Sequence, residues 1–167
     1  MWEEISQEFK NYPYQKKVAL FLLSKGLRVN KEAKICLEKI EVPHVKIARV
    51  LQIDRRVVDA TAKRIKDREK LFRIFSNLDT IPFLKNVALH IGLNVLIVTP
   101  QDASKPGIMG NVTSKLAEEG IPIRQAIADD PYLTENPKLT IITDIEIRGE
   151  VLNELKRIEG VKELTIF

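Results

Sequence analysis

Residues 94–127 read NVLIVTPQDASKPGIMGNVTSKLAEEGIPIRQAI, and the change of period inside this stretch decides the fold. Asn94–Thr99 is a β-branched run stopped by Pro100, the pattern of a strand at a sheet centre. Pro106 to Glu119 reads as a helix, with Ile108, Val112 and Leu116 four apart and Gly120 at its end. Ile121, Ile123, Gln125 and Ile127 then alternate, which predicts a second strand with one apolar face. Beyond a polar loop (residues 129–137), Leu139–Thr143 is another central-type strand. Glu150–Glu159 is a helix with Val151, Leu155 and Ile158 on one face, and Gly160 stops it. Val161–Phe167 closes the chain as a strand. The order β-α-β-β-α-β is the ferredoxin-like plan, so the expected class is α+β.

That plan leaves one sheet face without helices. In the first strand Val95 and Ile97 point one way and Leu96 and Val98 the other, so both faces need cover. A second subunit, the N-terminal half, or both are the candidates, and a homodimer or higher even oligomer is expected.

Upstream of residue 79 the period is helical. Pro13 suits a first turn, and Val18, Leu20–Leu23 and Leu27 form an apolar stripe interrupted by Gly26. Residues 33–42 permit either a short hairpin or a helix face, with strands preferred because Val29-Asn30 reads as a break. Pro43 opens a helix carrying Val45, Ile47, Ala48 and Leu51. Asp54 is placed to cap a second helix, Arg55–Lys66, with Val57, Val58, Thr61 and Ile65 on its apolar side. Asp67–Phe75 predicts a further helix. Pro82–Ile91 predicts one more, bridging the halves and ended by Gly92. The expected organisation is a helix-turn-helix module over residues 1–78, a bridge over 79–92 and a ferredoxin-like domain over 93–167.

Charge divides at the same place. Residues 1–78 hold 18 Lys/Arg against 10 Asp/Glu, and residues 79–167 hold 9 against 13, within a net charge of +4. A basic module joined to an acidic one points to two different partners, duplex DNA being the candidate for the first. Val45–Lys66 supports this. A small Ala48 lets two helices approach, Ile53 plugs their junction, and Lys46, Arg55, Arg56, Asp59, Lys63 and Arg64 are left to project outward. In such a unit the start of the second helix meets base edges, Arg56 suiting guanine, while Lys63 suits a phosphate. Gln52 occupies the turn position where Gly is favoured.

The run KICLEKIEVPHVKIARVLQIDRRVVDAT (residues 34–61), followed by SKPGIMGNV, AEEGIPI and EVLNELKRIEGVKELTIF, resembles a family of archaeal predicted regulators of amino-acid metabolism. These carry an N-terminal helix-turn-helix and a C-terminal ACT domain. The portion IAR-L--DRRVV is the specific part of the likeness. The resemblance implies a ligand-sensing transcriptional regulator whose effector sits by the loop after the first ACT strand, often between paired domains, with Ile123 and Gln125 nearby. Where ACT domains often have Gly-x-Asn after the helix, this chain has Gly120-Ile121-Pro122, which removes one ligand donor.

The loop Gln101–Asn111 has chemistry of its own. Pro106 and Gly107 at a helix start leave backbone N–H groups open to a carboxylate. Asp102 and Asn111 suit an ammonium or amide, and Lys105 adds charge. Ser104, Gly107, Ile108 and Met109 complete the expected lining for a small-molecule effector, an amino acid first among them.

Other chemistries are poorly served. Cys36 is alone, His44 and His90 lie far apart, and no spacing suits a zinc site, so no metal or other cofactor is expected. Asp129-Asp130 reads as a turn before Pro131. The loop of residues 103–108 lacks the arginine an acylphosphatase needs, so no catalytic residues are expected and the chain is not read as an enzyme. The central strands lack the aromatics of an RNA-binding sheet. The longest apolar run, Val18–Leu23, is too short to span a bilayer, and MWEEISQEFK is no signal peptide, so a cytoplasmic protein without membrane contact is expected. The competing reading is a regulatory subunit that docks on a metabolic enzyme without touching DNA.

Overall fold

The computed structural model describes residues 2–167, which form one unit ending at Pro82 and another spanning Phe83–Phe167. The first contains α1 (Trp2–Glu8), α2 (Pro13–Lys25), β1 (Arg28–Val29), β2 (Ile35–Leu37), β3 (Ile40–Glu41), α3 (His44–Leu51), α4 (Arg55–Asp67) and α5 (Glu69–Phe75). Its core joins Phe9, Val18 and Leu22 to Ile35, Val58, Ile65 and Phe75, all fully buried. Each such side chain contributes about 1.5–3 kcal/mol by leaving water.

Residues 33–42 resolve as a hairpin, with β1-β2-β3 forming an antiparallel sheet. The break expected at Val29-Asn30 lies one residue later, because Arg28 and Val29 pair with Cys36 and Ile35. Asn30 then turns the chain, its Oδ1 accepting the N–H of Glu32 at 3.0 Å and of Lys34 at 2.8 Å. Gly26 ends α2 in the left-handed region (φ 62°), and residues 78–80 fold back onto it. Arg28 binds the Leu78 carbonyl and the Asp79 carboxylate, and the Thr80 hydroxyl donates to the Lys25 carbonyl at 3.0 Å.

The second unit contains β4 (Asn94–Pro100), α6 (Ile108–Glu118), β5 (Ile123–Ala128), β6 (Leu139–Thr143), α7 (Gly149–Lys156) and β7 (Val161–Ile166). Its sheet is antiparallel throughout in the order β5-β6-β4-β7, the ferredoxin-like arrangement. Leu96, Val98, Leu139 and Ile141 pack under α6 and α7 against Val112, Leu116, Val151 and Leu155.

The bridging helix does not form. Residues 84–86 and 88–91 are two 3-10 turns, and Gly92 closes the second in the left-handed region. The segment acts as a cover: Ala88 and Leu93 bury against Val95, Ile97 and Ile142 on the helix-free sheet face, with Leu84 beside them. The N–H of Leu84 donates to the Gln125 side chain at 3.0 Å. A continuous α-helix would bring its apolar residues to one stripe. Here Phe83, Val87, Leu89 and Ile91 stay exposed while Ala88 and Leu93 turn inward. The apolar second face is therefore covered in part by the chain's own residues, which removes part of the reason for invoking another subunit.

Candidate nucleic-acid interface and ligand cavity

Three local devices fix the α3–α4 hairpin. Gln52 adopts the left-handed conformation (φ 54°, ψ 49°), and its N–H closes α3. The Ile53 N–H returns to the Ala48 carbonyl at 3.0 Å. Asp54 caps α4, its Oδ1 accepting the Arg56 N–H at 2.7 Å. Ala48 and Val58 are buried at the crossing, and Ile53 and Val57 pack against the same core. Lys17 Nζ donates to the Leu51 carbonyl at 3.0 Å, placing a cation at the negative end of α3.

The six residues expected to face a nucleic acid separate into two groups. Lys46, Arg56 and Lys63 are exposed, and the Arg56 side chain is 92% accessible with Asp54 the nearest carboxylate at 3.9 Å. Asp59 and Arg64 each have partners within their own chain. Asp59 accepts from His44 Nδ1 at 2.6 Å and pairs with Arg55 Nε at 3.3 Å, which latches the start of α3 to α4. Arg64 lies 3.8 Å over the Tyr12 ring and reaches the Glu8 carbonyl at 3.5 Å. Arg55 remains exposed while paired with Asp59. His44 was legible only as a cap or surface residue; its role needs the register of two helices fifteen residues apart.

In the second unit a cavity of about 220 Å³ opens where β4 runs into α6. Lys105, Gly107, Ile108 and Met109 line it as expected, joined by Pro100, Ala128, Asp129, Lys138 and Leu139 from the ends of three strands. The antiparallel pairing of Ala128 with Leu139 brings those last residues there. Asp129 and Lys138 bond each other through main chain and carboxylate, the Lys138 N–H donating to Asp129 Oδ2 at 3.1 Å. The resulting mouth carries two ammonium groups and a carboxylate over an apolar floor.

The other expected ligand residues lie outside this lining. Asp102 closes a turn on itself, accepting the Ser104 hydroxyl at 2.6 Å and N–H at 2.9 Å, and these bonds hold its carboxyl below the usual range. Asn111 is exposed on α6, its N–H donating to the Gly107 carbonyl at 2.8 Å. Ile123 sits at the far end of β5, roughly 17 Å of strand from Ala128. Gln125 belongs to the opposite sheet face, bonded to Leu84. The helix itself starts later than expected, at Ile108, because Gly107 takes a positive φ (102°) and so stands outside the helix as its N-cap.

No family model matches the chain, and no curated protein matches it at a significant level. Among solved structures it is similar to PH0061, at 16% identity over 78% of this chain and 82% of that one, with a TM-score of 0.27. It is also similar to the Mycobacterium tuberculosis leucine response regulatory protein LrpA, at 14% identity over 92% and 90%, with a TM-score of 0.28.

Among the described residues no group of His, Cys, Asp and Glu is arranged to hold a metal ion, and no helix is long and apolar enough to cross a membrane. Burial, reinforced by Glu41 and Glu32, pushes the Cys36 thiol up, away from the thiolate a nucleophile requires. Lys115 binds Glu154, Glu119 and Glu118, tying α6 to α7, and its ammonium is held well above the usual lysine range by the first two.

Proposed function

We propose that this chain is a ligand-responsive DNA-binding regulator, with α4 as the element that enters the major groove. The observation that carries the proposal is Arg56, fully accessible in the first turn of a capped α4 whose hairpin is locked from both sides. A guanidinium in that position suits the O6 and N7 of guanine, while Lys46 and Lys63 suit flanking phosphates. The Asp59 latch holds the two helices at a fixed angle, as groove insertion requires. Self-association as a homodimer belongs to the same reading, since paired half-sites read longer operators.

The cavity beside Gly107 supports the sensing part. Its two lysines and apolar floor suit a small carboxylate with an apolar side chain, and Asp129 suits an ammonium, a combination found in amino acids. Thermal-shift screening of the full chain against the twenty amino acids tests the sensor, since a real ligand raises apparent stability by mass action. Enrichment of bound sequences from a random duplex pool tests the reader. A pool that stays unselected, with Arg56→Ala binding as the parent does, refutes base reading by α4.

A further inference from the structure

Two depressions meet along the edge of α4 that faces α2. One, of about 340 Å³, lies between Tyr12 and Tyr14 at the start of α2 and Arg56 on α4. The other, of about 390 Å³, continues past Lys63. Gln15 and Ala60 line both, so they form one furrow with the small Ala60 at its waist. Its rim is mostly cationic, with the Asp67 carboxylate, held by Lys66, at the far end; the Arg56 side chain is 92% accessible with Asp54 at 3.9 Å, and Lys63 has no ion-pair partner among the described residues. Tyr14 is 64% exposed. Past Lys63 the charges are already engaged, Arg64 over Tyr12, Lys66 with Asp67 at 3.7 Å and, just beyond α4, Arg68 with Glu8 at 3.8 Å.

We propose that this furrow seats one sugar–phosphate strand of duplex DNA, Tyr14 packing against deoxyribose while Lys63 holds a phosphate. The inference rests on α4 being the DNA-facing helix and adds the start of α2 as a second contact element. Arg56, seven residues and ~10 Å of helix axis before Lys63, stands at the furrow's other end, where it is left to the base edges. An aromatic furrow with a basic rim also fits a single strand, whose bases need successive stacking faces. Here the Arg64 guanidinium occupies one face of Tyr12, and of the two rings only Tyr14, 64% exposed, has no cation stacked on it. One ring is too few for a stacking track, and the sugar–phosphate edge of a duplex fits better.

The test is fluorescence anisotropy of the full chain with a labelled duplex of about 24 bp and arbitrary sequence, from about 50 to about 200 mM salt. The labelled single strand is titrated in parallel. Tyr14→Ala is expected to weaken duplex binding about fivefold without changing the salt slope, because it removes contact area and no charge. Lys63→Ala is expected to flatten the slope by about 0.9, one phosphate contact. Both side chains are exposed, so the melting temperature serves as a check that the fold is intact. Duplex binding by the parent with Tyr14→Ala unchanged, or tighter binding of the single strand, overturns the furrow alone. A parent chain that binds no duplex refutes the DNA reading of α4 as well.

Discussion

Asp59→Ala separates a structural carboxylate from a base-reading one. In the parent, Asp59 accepts from His44 Nδ1 at 2.6 Å and pairs with Arg55 at 3.3 Å. The Arg55 contact is an exposed pair four residues apart on one helix, worth about 0.3–0.5 kcal/mol. The His44 contact matters more, since its side chain is 13% accessible and its Nε2 is buried with no partner among the described residues. Losing Asp59 strips the ring of its carboxylate, at a cost of about 1–2 kcal/mol. The combined loss is about 2 kcal/mol, or roughly 10 °C in Tm for a unit of about 80 residues.

DNA affinity is expected to move the other way. Arg55, released from its carboxylate, becomes available for one more phosphate. One added contact steepens the salt slope by about 0.9, which at about 0.1 M salt corresponds to a gain approaching eightfold. Asp59→Asn keeps a hydrogen-bond acceptor for His44 and removes the charge, so it should show the affinity gain with a smaller loss of stability. Calorimetry and anisotropy on the same preparations read both quantities. Weaker DNA binding by both variants, with Tm unchanged, would refute the latch and restore Asp59 as a base contact.

Three further outcomes are expected. Gln52→Gly should raise stability by about 0.5–1 kcal/mol in chemical denaturation, because a left-handed residue other than Gly carries steric cost. Gly26→Ala should destabilise the first unit by roughly 2–3 kcal/mol, since a Cβ there would lie 2.7 Å from the Thr80 hydroxyl as well as in a left-handed conformation; equal denaturation midpoints would rule this out. The Lys115 hydrogen bond and charge hold the Glu154 carboxyl below its usual range. A depressed folded value means the tie contributes fully above the unfolded carboxylate range and is lost as pH falls through the folded value. The stability advantage over Glu154→Gln should therefore be present at neutral pH and shrink in acid; an advantage independent of pH between 7 and 2 (roughly, the span of carboxylate titration) would contradict it.

Elements set by local chemistry were legible before any coordinates: Asp54 capping α4, Gly26 ending α2, and the β-branched run that becomes β4. What escaped depended on pairing or on packing. Leu84, Ala88 and Ile91 match a helical period, yet the chain there flattens into 3-10 turns over Val95, Ile97 and Ile142. Nothing in a one-dimensional period distinguishes a helix from a lid. Asp129 and Lys138 reach the cavity mouth because β5 pairs with β6, and the register of that pair is invisible in either strand alone. Gln125 was placed by resemblance beside the ligand loop, whereas the irregular register between Ile123 and Gln125 belongs to a strand whose Gln125 meets Leu84. For Asp59 and Arg64 the charge and helix phase are visible in the sequence, but not the intramolecular partners they meet.

Those partners also change what the basic first half says about a polyanion. Of the five cations on α4, Arg55 pairs with Asp59, Arg64 lies over Tyr12, and Lys66 sits 3.7 Å from Asp67. Lys63 remains for a phosphate and Arg56, 92% accessible although 3.9 Å from Asp54, for a base edge, with Lys46 adding a phosphate contact from α3. Affinity for a polyanion follows phosphates contacted, not net charge. Two phosphate contacts, from Lys46 and Lys63, predict a salt slope near −1.8 per chain, at about 0.9 per contact. The excess of eight positive charges over the first 78 residues would predict about −7 were every one engaged. A slope near −2 that falls by about one with Lys63→Ala places the interface on α4. A slope steeper than about −5 would place it instead on lysines elsewhere in the first unit, and α4 would then lose its claim to be the reading helix.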